Sequence, residues 1–576
     1  MRTIAILIAC IILTLTILFL TIPTIQATDY TLLRNDYIKN HSGQVIIPFP
    51  WEPSTSIKVL PFNYEIPAAP ANNFSITATR NQFESASFII TAQKDLSGIN
   101  INVPNLYSAY GNSIPAEAIN VRTVKVWYQA AQNDIWVGTP GYYLTPELLL
   151  KDDSLVKVDY ITKTNYLKVT INGVEQYIDI SSPTATFPSN AQIHDASSLQ
   201  PFSLKANENK QIWLTVHVPD GTPAGDYFGN ITITIPSESP VVMNFSVTVL
   251  PFDLESSPIE YSLYYRGIIP PTPIAGISEW KTPQQYKAEL QNMKEHGVLY
   301  PTLYSWYEEK VETELSIRNE IGLPKDHIYL LGIGTDTPIS QVIRWKNITS
   351  QYGYQNTYVY GIDEASGAAL QAERPAWQTI HNAGVKVYVA CDDDAITIVG
   401  DLLDVPVLAG PLNIAQAAQW HSLGKRIFSY ANPQVGIENP KIYRKNYGFA
   451  LWNAGYDGAM DYAYQHAYGQ IWNDYDSAAE HYRDHVFAYP TSNGVIDTIQ
   501  WEGFREGIDD TRYVASLIKK EGSVTSTKTL IASSLSQGDN MTTIRKKVIA
   551  QILPLQINQA PVLSTISNKS VTADYL

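Results

Sequence analysis

The sequence predicts a multidomain protein of β and α/β class, in which an N-terminal antiparallel β-sandwich precedes a (β/α)8 TIM-type barrel. Three observations support this prediction. The chain has 576 residues, 45% hydrophobic and 16% charged, which is enough for roughly two to four globular domains, each with its own core. Short runs of alternating polarity fill residues 75–252. After residue 258, apolar strands alternate with amphipathic helices.

The predicted sandwich, residues 75–254, consists of short alternating or β-branched runs separated by turn residues. Two typical runs are 212–218 and 230–235. The segment between them contains Pro219, Gly221, Pro223 and Gly225, where proline presets φ and glycine supplies a positive φ for a turn. Polarity that alternates with period two, interrupted by such turn residues, is typical of an antiparallel sandwich.

The predicted barrel occupies residues 255–525. Its eight strands are predicted at 259–266, 298–304, 328–333, 357–363, 386–392, 405–409, 426–431 and 457–464. Helices are predicted between them, for example at 283–296, 305–321, 339–352, 368–383, 414–423 and 440–454. An open doubly wound sheet would show the same local pattern, but no glycine-rich phosphate loop follows the first strand, so the barrel is favoured.

The termini carry separate predictions. Residues 1–27 are predicted to be an export signal cleaved after Ala27, or an N-terminal anchor retained through the apolar residues 4–22. Residues 28–74 form an N-terminal extension and 526–557 a C-terminal helical segment, and 558–576 look like the start of a truncated Ig-like repeat. The protein is therefore expected to be secreted or on the cell surface.

Composition excludes several classes of function. With 40 basic and 55 acidic residues the net charge is −15, and no basic run is long enough to neutralise a nucleic acid. The two cysteines, Cys10 and Cys391, support neither a disulfide scaffold nor a cysteine zinc cluster. Histidines lack metal-ligand spacing and there is no Gly-X-Ser-X-Gly motif. We expect no metal and no cofactor.

The best candidate for catalysis is the acid pair Asp363-Glu364, at the end of the predicted fourth strand. Barrel enzymes place catalytic residues at the C-terminal ends of strands. Neighbouring strand residues point to opposite faces, so both acids can face one cleft only if the strand breaks up at Asp363. Two carboxyls held together would keep one protonated, as cleavage of a glycosidic bond requires. The alternative is a solvated helix start.

Further residues are predicted around the same barrel mouth as substrate-binding groups. They are Tyr265, Arg266, Tyr304, Asp393, Tyr430, Asn432 and Trp472. The 37 Tyr and 12 Trp of the chain suit either β-rich packing or a sugar cleft, because such rings combine an apolar face with a polar group. Trp213 and Tyr227 are assigned to sandwich packing. Asp393 has the alternative of belonging to an acid cluster at a helix N-terminus.

Three stretches together resemble the superfamily around glycoside hydrolase family 123, β-N-acetylgalactosaminidases with a β-sandwich and a (β/α)8 barrel. They are residues 212–229, the pair Asp363-Glu364, and the helix at 501–510 with its Arg-Glu-Gly-Ile-Asp-Asp motif. The resemblance implies substrate-assisted retaining hydrolysis, with Glu364 as general acid/base and Asp363 orienting the 2-acetamido group. Related sequences often have proline after the acid pair, where this chain has Ala365.

These observations predict an exported glycosidase acting on N-acetylhexosaminides. Two alternatives remain open. The barrel could be a non-catalytic scaffold of a cell-surface protein that binds glycans. The substrate could also lack an acetamido group, in which case a separate carboxylate such as Asp393 would have to be the nucleophile.

Overall fold

The computed structural model describes residues 28–131, 140–271, 279–476 and 483–557. The predicted signal or anchor, including residues 4–22, and the predicted Ig-like start at 558–576 lie outside these residues. Within them, no helix combines the length and the apolar character needed to cross a bilayer.

The first part of the chain, residues 28–249, is almost entirely β-structure. Its elements are α1 (Tyr30–Asn40), β1 (Ile46–Trp51), β2 (Asn73–Ala78), β3 (Phe83–Ala92), β4 (Leu96–Asn102), β5 (Leu106–Ser108), β6 (Ser113–Ile114), β7 (Ile119–Ala131), β8 (Pro140–Leu150), β9 (Val156–Asp159), β10 (Thr164–Ile171), β11 (Val174–Asp179), β12 (Phe202–Leu204), β13 (Asn209–His217), β14 (Gly225–Thr234) and β15 (Val241–Val249). The alternating runs of the sequence thus form strands.

Two larger sheets and one smaller sheet make up this β region. A five-stranded sheet has the order β1-β3-β13-β7-β8, and a seven-stranded sheet contains β12-β4-β14-β15-β2 with β5 and β6 at its side. Both sheets contribute to one apolar core, for example through Phe88 and Ile212 of the first and Ile231 and Phe245 of the second. Strands that begin before residue 75 belong to these sheets, and β15 pairs with β2 in parallel.

The second part of the chain alternates strands with helices. Its elements are β16 (Glu260–Tyr264), α2 (Pro283–Glu295), α3 (Glu308–Ile321), β17 (His327–Gly334), α4 (Ile339–Gln351), β18 (Asn356–Tyr360), α5 (Gly367–Asn382), β19 (Lys386–Cys391), α6 (Ala395–Val399), β20 (Val405–Ala409), α7 (Ile414–Ser422), β21 (Phe428–Tyr430), α8 (Pro440–Asn446), α9 (Phe449–Ala454), β22 (Gly458–Tyr462), β23 (Gln465–His466), β24 (His485–Val486), β25 (Ala488–Pro490), β26 (Val495–Asp497), α10 (Ile499–Glu521), α11 (Val524–Ser536) and α12 (Met541–Ile557).

The central sheet of this region is parallel and has seven strands, in the order β16-β22-β21-β20-β19-β18-β17. The prediction of a strand at 298–304 is wrong. In its place, residues 302–303 lie between the two ends of the sheet, where Thr302 donates its N–H to Leu263 O at 3.1 Å and Leu303 to Tyr329 O at 2.8 Å. Pro301 has no N–H to extend such a ladder.

A mixed β and α/β fold is therefore confirmed. The sandwich, the eight-stranded barrel and the domain boundaries 75–254 and 255–525 stay predictions. The predicted helix 440–454 is two helices, α8 and α9, separated at Gly448, where a Cβ would lie 2.4 Å from Arg444 O.

The Arg-Glu-Gly-Ile-Asp-Asp motif lies in α10, which packs directly on α8. A Cβ at Gly503 would lie 2.4 Å from Pro440 O, and one at Gly507 would lie 2.9 Å from Arg444 O. Glycines four residues apart therefore let the two helix backbones approach closely. The motif is buried, and Arg505 pairs with Glu502 rather than with Asp509 at the next turn.

Candidate active site

A cavity of about 370 Å³ opens at the C-terminal ends of the parallel strands. Its lining residues are Tyr264, Arg266, Tyr304, Leu331, Tyr360, Asp363, Glu364, Ala390, Tyr430, Gln434, Tyr462 and Tyr468. Six of these twelve lining residues are tyrosines. Asp363 and Glu364 are the only acids among these lining residues, and Arg266 is the only cation.

The acid pair lies in the cavity because its strand ends early. β18 ends at Tyr360 rather than at residue 363, and Gly361 donates its N–H to Tyr388 O at 3.0 Å. Glu364 has φ of +50°, a left-handed conformation that side chains seldom adopt. Its N–H still bonds to Ala390 O at 3.0 Å. This break removes the strand alternation, so both carboxyls reach one cleft.

Each carboxyl accepts a hydrogen bond from its own tyrosine. Tyr360 donates its hydroxyl to Asp363 Oδ1 at 2.6 Å, and Tyr430 donates to Glu364 Oε1. Burial raises the pKa of Asp363, the hydrogen bond from Tyr360 lowers it in part, and the neighbouring charge of Glu364 raises it further. Asp363 therefore holds a proton at higher pH than an ordinary aspartate.

Arg266, the cation of the lining, is held in place by its neighbours. Its guanidinium donates to Tyr462 Oη at 3.2 Å and to Glu279 Oε1 at 3.3 Å, and it lies 4.8 Å from the centre of the Tyr304 ring. The guanidinium of Arg266 and the ring of Tyr304 therefore form one flat, positively charged part of the cavity wall.

The structure brings five predicted site residues together and leaves four apart. Asp363, Glu364, Arg266, Tyr304 and Tyr430 line the cavity, whereas Tyr265, Asp393, Asn432 and Trp472 do not.

Tyr265 and Trp472 are buried in packing instead of lining the cavity. Tyr265 is 1% exposed and donates to Glu289 Oε2 at 2.8 Å. Its neighbour Tyr264 takes the position in the cavity, because adjacent strand residues point to opposite faces. The indole of Trp472 packs against Tyr489 with ring centres 4.8 Å apart, and its N–H donates to Pro490 O at 3.0 Å.

Asp393 and Asn432 serve local hydrogen bonds outside the cavity. Asp393 accepts from Gln416 Nε2 at 2.7 Å, next to α7. Asn432 Oδ1 accepts from Asn446 Nδ2 at 3.1 Å. Asp393 is therefore not placed to attack a sugar bound in front of Glu364.

Tyr264, Tyr360, Tyr462 and Tyr468 also line the cavity and were not predicted from the sequence, although three of them share a signal with the predicted Tyr430. Tyr264, Tyr360, Tyr430 and Tyr462 are each the last residue of a strand, namely β16, β18, β21 and β22. A tyrosine closing each of four strands marks the C-terminal edge of the sheet. Trp213 and Tyr227, assigned to packing, are 1% and 0% exposed, which confirms that assignment.

Asp461 lies behind the cavity wall, fully buried in β22. Its Oδ1 accepts the N–H of Ala431 at 2.9 Å and that of Tyr462 at 3.1 Å. It thereby ties the ends of β21 and β22, which present Tyr430 and Tyr462. Burial raises the pKa of Asp461 to about 8, and these hydrogen bonds offset only part of that effect.

Replacing Asp461 with Asn is expected to stabilise the protein increasingly as pH rises from 4 to 8. The raised pKa means that wild-type stability is complete below the unfolded-state value of about 3.9 and is lost as pH rises through the folded-state value. Asparagine keeps the oxygen that accepts these hydrogen bonds. Because it does not ionise, the variant does not lose this stability as the pH rises. Chemical denaturation at pH 4 and 8 should show the difference in unfolding free energy between the variant and the wild type growing by about 5 kcal/mol, which corresponds to the shift of this pKa to about 8. Asp220→Asn, in an exposed turn, is the matched control because it makes the same substitution without altering a buried group.

One group of side chains in the described part of the chain has the composition of a metal site. His296, Asp497 and Glu502 offer ligand atoms within 4.8 Å of one another. Arg122 pairs with both carboxylates, at 2.6 Å and 2.7 Å, and Arg505 pairs with Glu502. The two arginines offset both negative charges, so we assign these residues to an ion-pair cluster.

Comparison with known proteins agrees with this architecture. Residues 63–235 match the family model described as the glycoside hydrolase 123 N-terminal domain. Among solved structures, a family 123 glycoside hydrolase from Clostridium perfringens, studied for glycolipid glycan hydrolysis, superimposes with a TM-score of 0.64 at 11% identity, covering 89% of this chain and 100% of that one.

A family 39 glycoside hydrolase from Bacteroides cellulosilyticus gives a TM-score of only 0.30 at 11% identity, over 54% of this chain and 75% of that one. The comparison with curated proteins found no match. Residues 63–235 therefore resemble the N-terminal domain of glycoside hydrolase family 123, as the sequence predicted, and the fold of the chain is similar to that of a family 123 enzyme.

Proposed function

We propose that the protein is an exported glycosidase that cleaves β-linked N-acetylhexosaminides, such as β-N-acetylgalactosaminides, by substrate-assisted retaining hydrolysis. The observation that carries this proposal is the placement of the cavity's acids. The only two among the lining residues are neighbours in the chain, Asp363 and Glu364. A two-carboxylate retaining enzyme needs its second acid across the sugar ring, as the nucleophile. A substrate that supplies its own nucleophile does not.

The proposed first step uses both acids. Glu364 gives its proton to the glycosidic oxygen while the carbonyl oxygen of the 2-acetamido group attacks C1, so the C1–O bond to the leaving group breaks as a new C1–O bond forms. Asp363, ionised, accepts the acetamido N–H and stabilises the positive charge of the oxazoline-like ring. Glu364 then removes a proton from water, which attacks C1, reopens the ring and restores the original anomer.

The cavity walls suit such a substrate. Tyrosine rings can stack on the C–H face of a pyranose while their hydroxyls meet the sugar oxygens. Arg266, held by Tyr462 and Glu279, adds a fixed cationic donor to the same cavity.

A panel of aryl glycosides tests the proposal directly. The full chain is assayed on aryl N-acetyl-β-galactosaminide, N-acetyl-β-glucosaminide and plain β-galactoside, and the first product is followed by NMR for its anomer. We expect hydrolysis of an acetamido sugar with retention, and inhibition by a thiazoline analogue of the oxazoline. Cleavage of the plain galactoside alone would refute the substrate-assisted mechanism. Binding without hydrolysis of any of them would favour a glycan-binding scaffold.

Replacing Tyr360 with Phe is expected to move the acidic limb of the kcat/KM profile to higher pH by about one unit. The hydrogen bond from Tyr360 lowers the pKa of Asp363, and a hydrogen bond to a charged group contributes about 1.5–3 kcal/mol. Without it, Asp363 becomes ionised only at higher pH. Tyr358→Phe, two residues earlier in the same strand, removes a hydroxyl that touches neither acid and should leave the limb in place.

A further inference from the structure

The outer face of the seven-stranded sheet in the β region has an unusual surface. The pairing of β2, β15, β14 and β5 aligns its outward side chains in rows. We call these residues the amide–hydroxyl face, and they are Asn73, Asn244 and Asn230 in one row, Ser75, Ser246, Phe228 and Tyr107 in the next, and Thr77, Thr248 and Asp226 in the third. The alternate residues of the same strands, such as Tyr227 and Phe245, are buried in the core.

The face is polar and nearly uncharged. Its seven amide and hydroxyl side chains are neutral, and none of its residues is Lys, Arg, His or Glu. The one acid, Asp226, accepts a hydrogen bond from Thr248 Oγ1 at 2.6 Å. Uncharged donors and acceptors at strand spacing match sugar hydroxyls, whereas a nucleic acid or an anion would need cations here.

Two aromatic rings complete the face. Phe228 is 58% exposed and Tyr107 is 54% exposed, and they are directly opposed across the antiparallel pair of β14 and β5. Opposed residues of such a pair have Cβ atoms about 4.5–5.5 Å apart, so both rings are presented to solvent on neighbouring strands of the same face. A groove of about 350 Å³ runs beside it, lined by Phe228, Asn230, Asn244, Phe245 and Ser246 among others.

We infer that the amide–hydroxyl face is a second glycan-binding site, which holds a neutral oligosaccharide chain by stacking on Phe228 and Tyr107 and by hydrogen bonds to the asparagine and serine rows. None of its residues lines the cavity at Glu364, so the site binds without cleaving. Its occupant is a neutral sugar chain because the face offers amides, hydroxyls and rings but no cation.

The binding test uses the full chain carrying Glu364→Gln, so that no sugar is hydrolysed. Chitohexaose and cellohexaose are titrated by calorimetry. We expect at least one of them to bind, and Phe228→Ala or Tyr107→Ala to weaken that binding about tenfold, as loss of a central aromatic contact does. Tyr110, 93% exposed in the adjoining turn, provides the matched control, and Tyr110→Ala should bind like the parent.

Two further measurements keep the test decisive. Ser246→Glu leaves both rings in place and adds a charge to the middle of the face, and it should also weaken binding. Phe228→Ala in the otherwise wild-type chain should hydrolyse a small aryl glycoside at the wild-type rate. Failure of both hexasaccharides to bind, or binding unaffected by all three face substitutions, would overturn the inference. Failure of hydrolysis by the wild-type chain would refute the proposed function and leave this binding result standing.

Discussion

Replacing Glu364 with Gln is expected to lower kcat on an aryl N-acetyl-β-hexosaminide by about 10²–10⁴-fold, the range that general acid–base catalysis contributes. Glutamine keeps the size of the side chain and can still accept the hydrogen bond from Tyr430, but it has no proton for the leaving oxygen. The loss should be smaller for a dinitrophenyl leaving group, which departs without protonation. Steady-state kinetics on the two substrates measure the difference.

Asp393→Asn provides the matched control for this prediction. Asp393 is an acid after the neighbouring strand β19, and it contacts Gln416 rather than the cavity. Its substitution should leave kcat near the wild-type value. An Asp393→Asn enzyme as inactive as Glu364→Gln would instead favour a mechanism with a protein nucleophile.

Replacing Arg545 with Met is expected to reduce the free energy of unfolding by about 3–5 kcal/mol, as removal of one partner from a buried ion-pair cluster does. Arg545 is 4% exposed and pairs with Glu84 at 2.9 Å, Glu506 at 2.8 Å and Asp510 at 2.5 Å. Its removal would leave Glu84 without its ion-pair partner and Asp510 with Arg444 as its remaining partner. Denaturation followed by circular dichroism measures the loss.

The next residue in α12 supplies the control. Lys546 is exposed and on the same helix turn, so Lys546→Met makes the same type of change without removing a buried charge. Its effect should stay within about 0.5 kcal/mol. Equal stability of the two variants would show that the cluster contributes little to holding the helices against β3, which carries Glu84.

The positions of most strands could be predicted because alternating and apolar runs are local signals. Seven of the eight predicted strands of the α/β region are present in the described residues, and the acid pair lies where its strand ends. The segment at 298–304 misled because its apolar composition suits a strand. In the structure it makes an isolated bridge, Leu303 to Leu330, and Pro301 has no N–H to extend the pairing.

The sequence did not predict the buried role of its most recognisable helix. The spacing of Arg505 and Asp509 suits a surface pair, but Arg505 pairs with Glu502 and Asp509 with Arg512. Charged residues rarely lie fully buried, so a helix that contains many of them is predicted from its sequence to be exposed. Charged partners from β3, β7, α8 and α12 compensate the buried charges of this cluster.

By itself, the sequence determined the order of strands and helices and the acid pair Asp363-Glu364, because these depend on neighbours in the chain. The tertiary structure alone decided which aromatic rings surround that pair. Tyr264 lines the cavity and Tyr265 does not, although they are adjacent, since a shift of one residue turns a strand side chain to the other face. Trp472 is buried against Tyr489 instead of lining the cavity, because the side chain that covers a ring comes from another part of the chain.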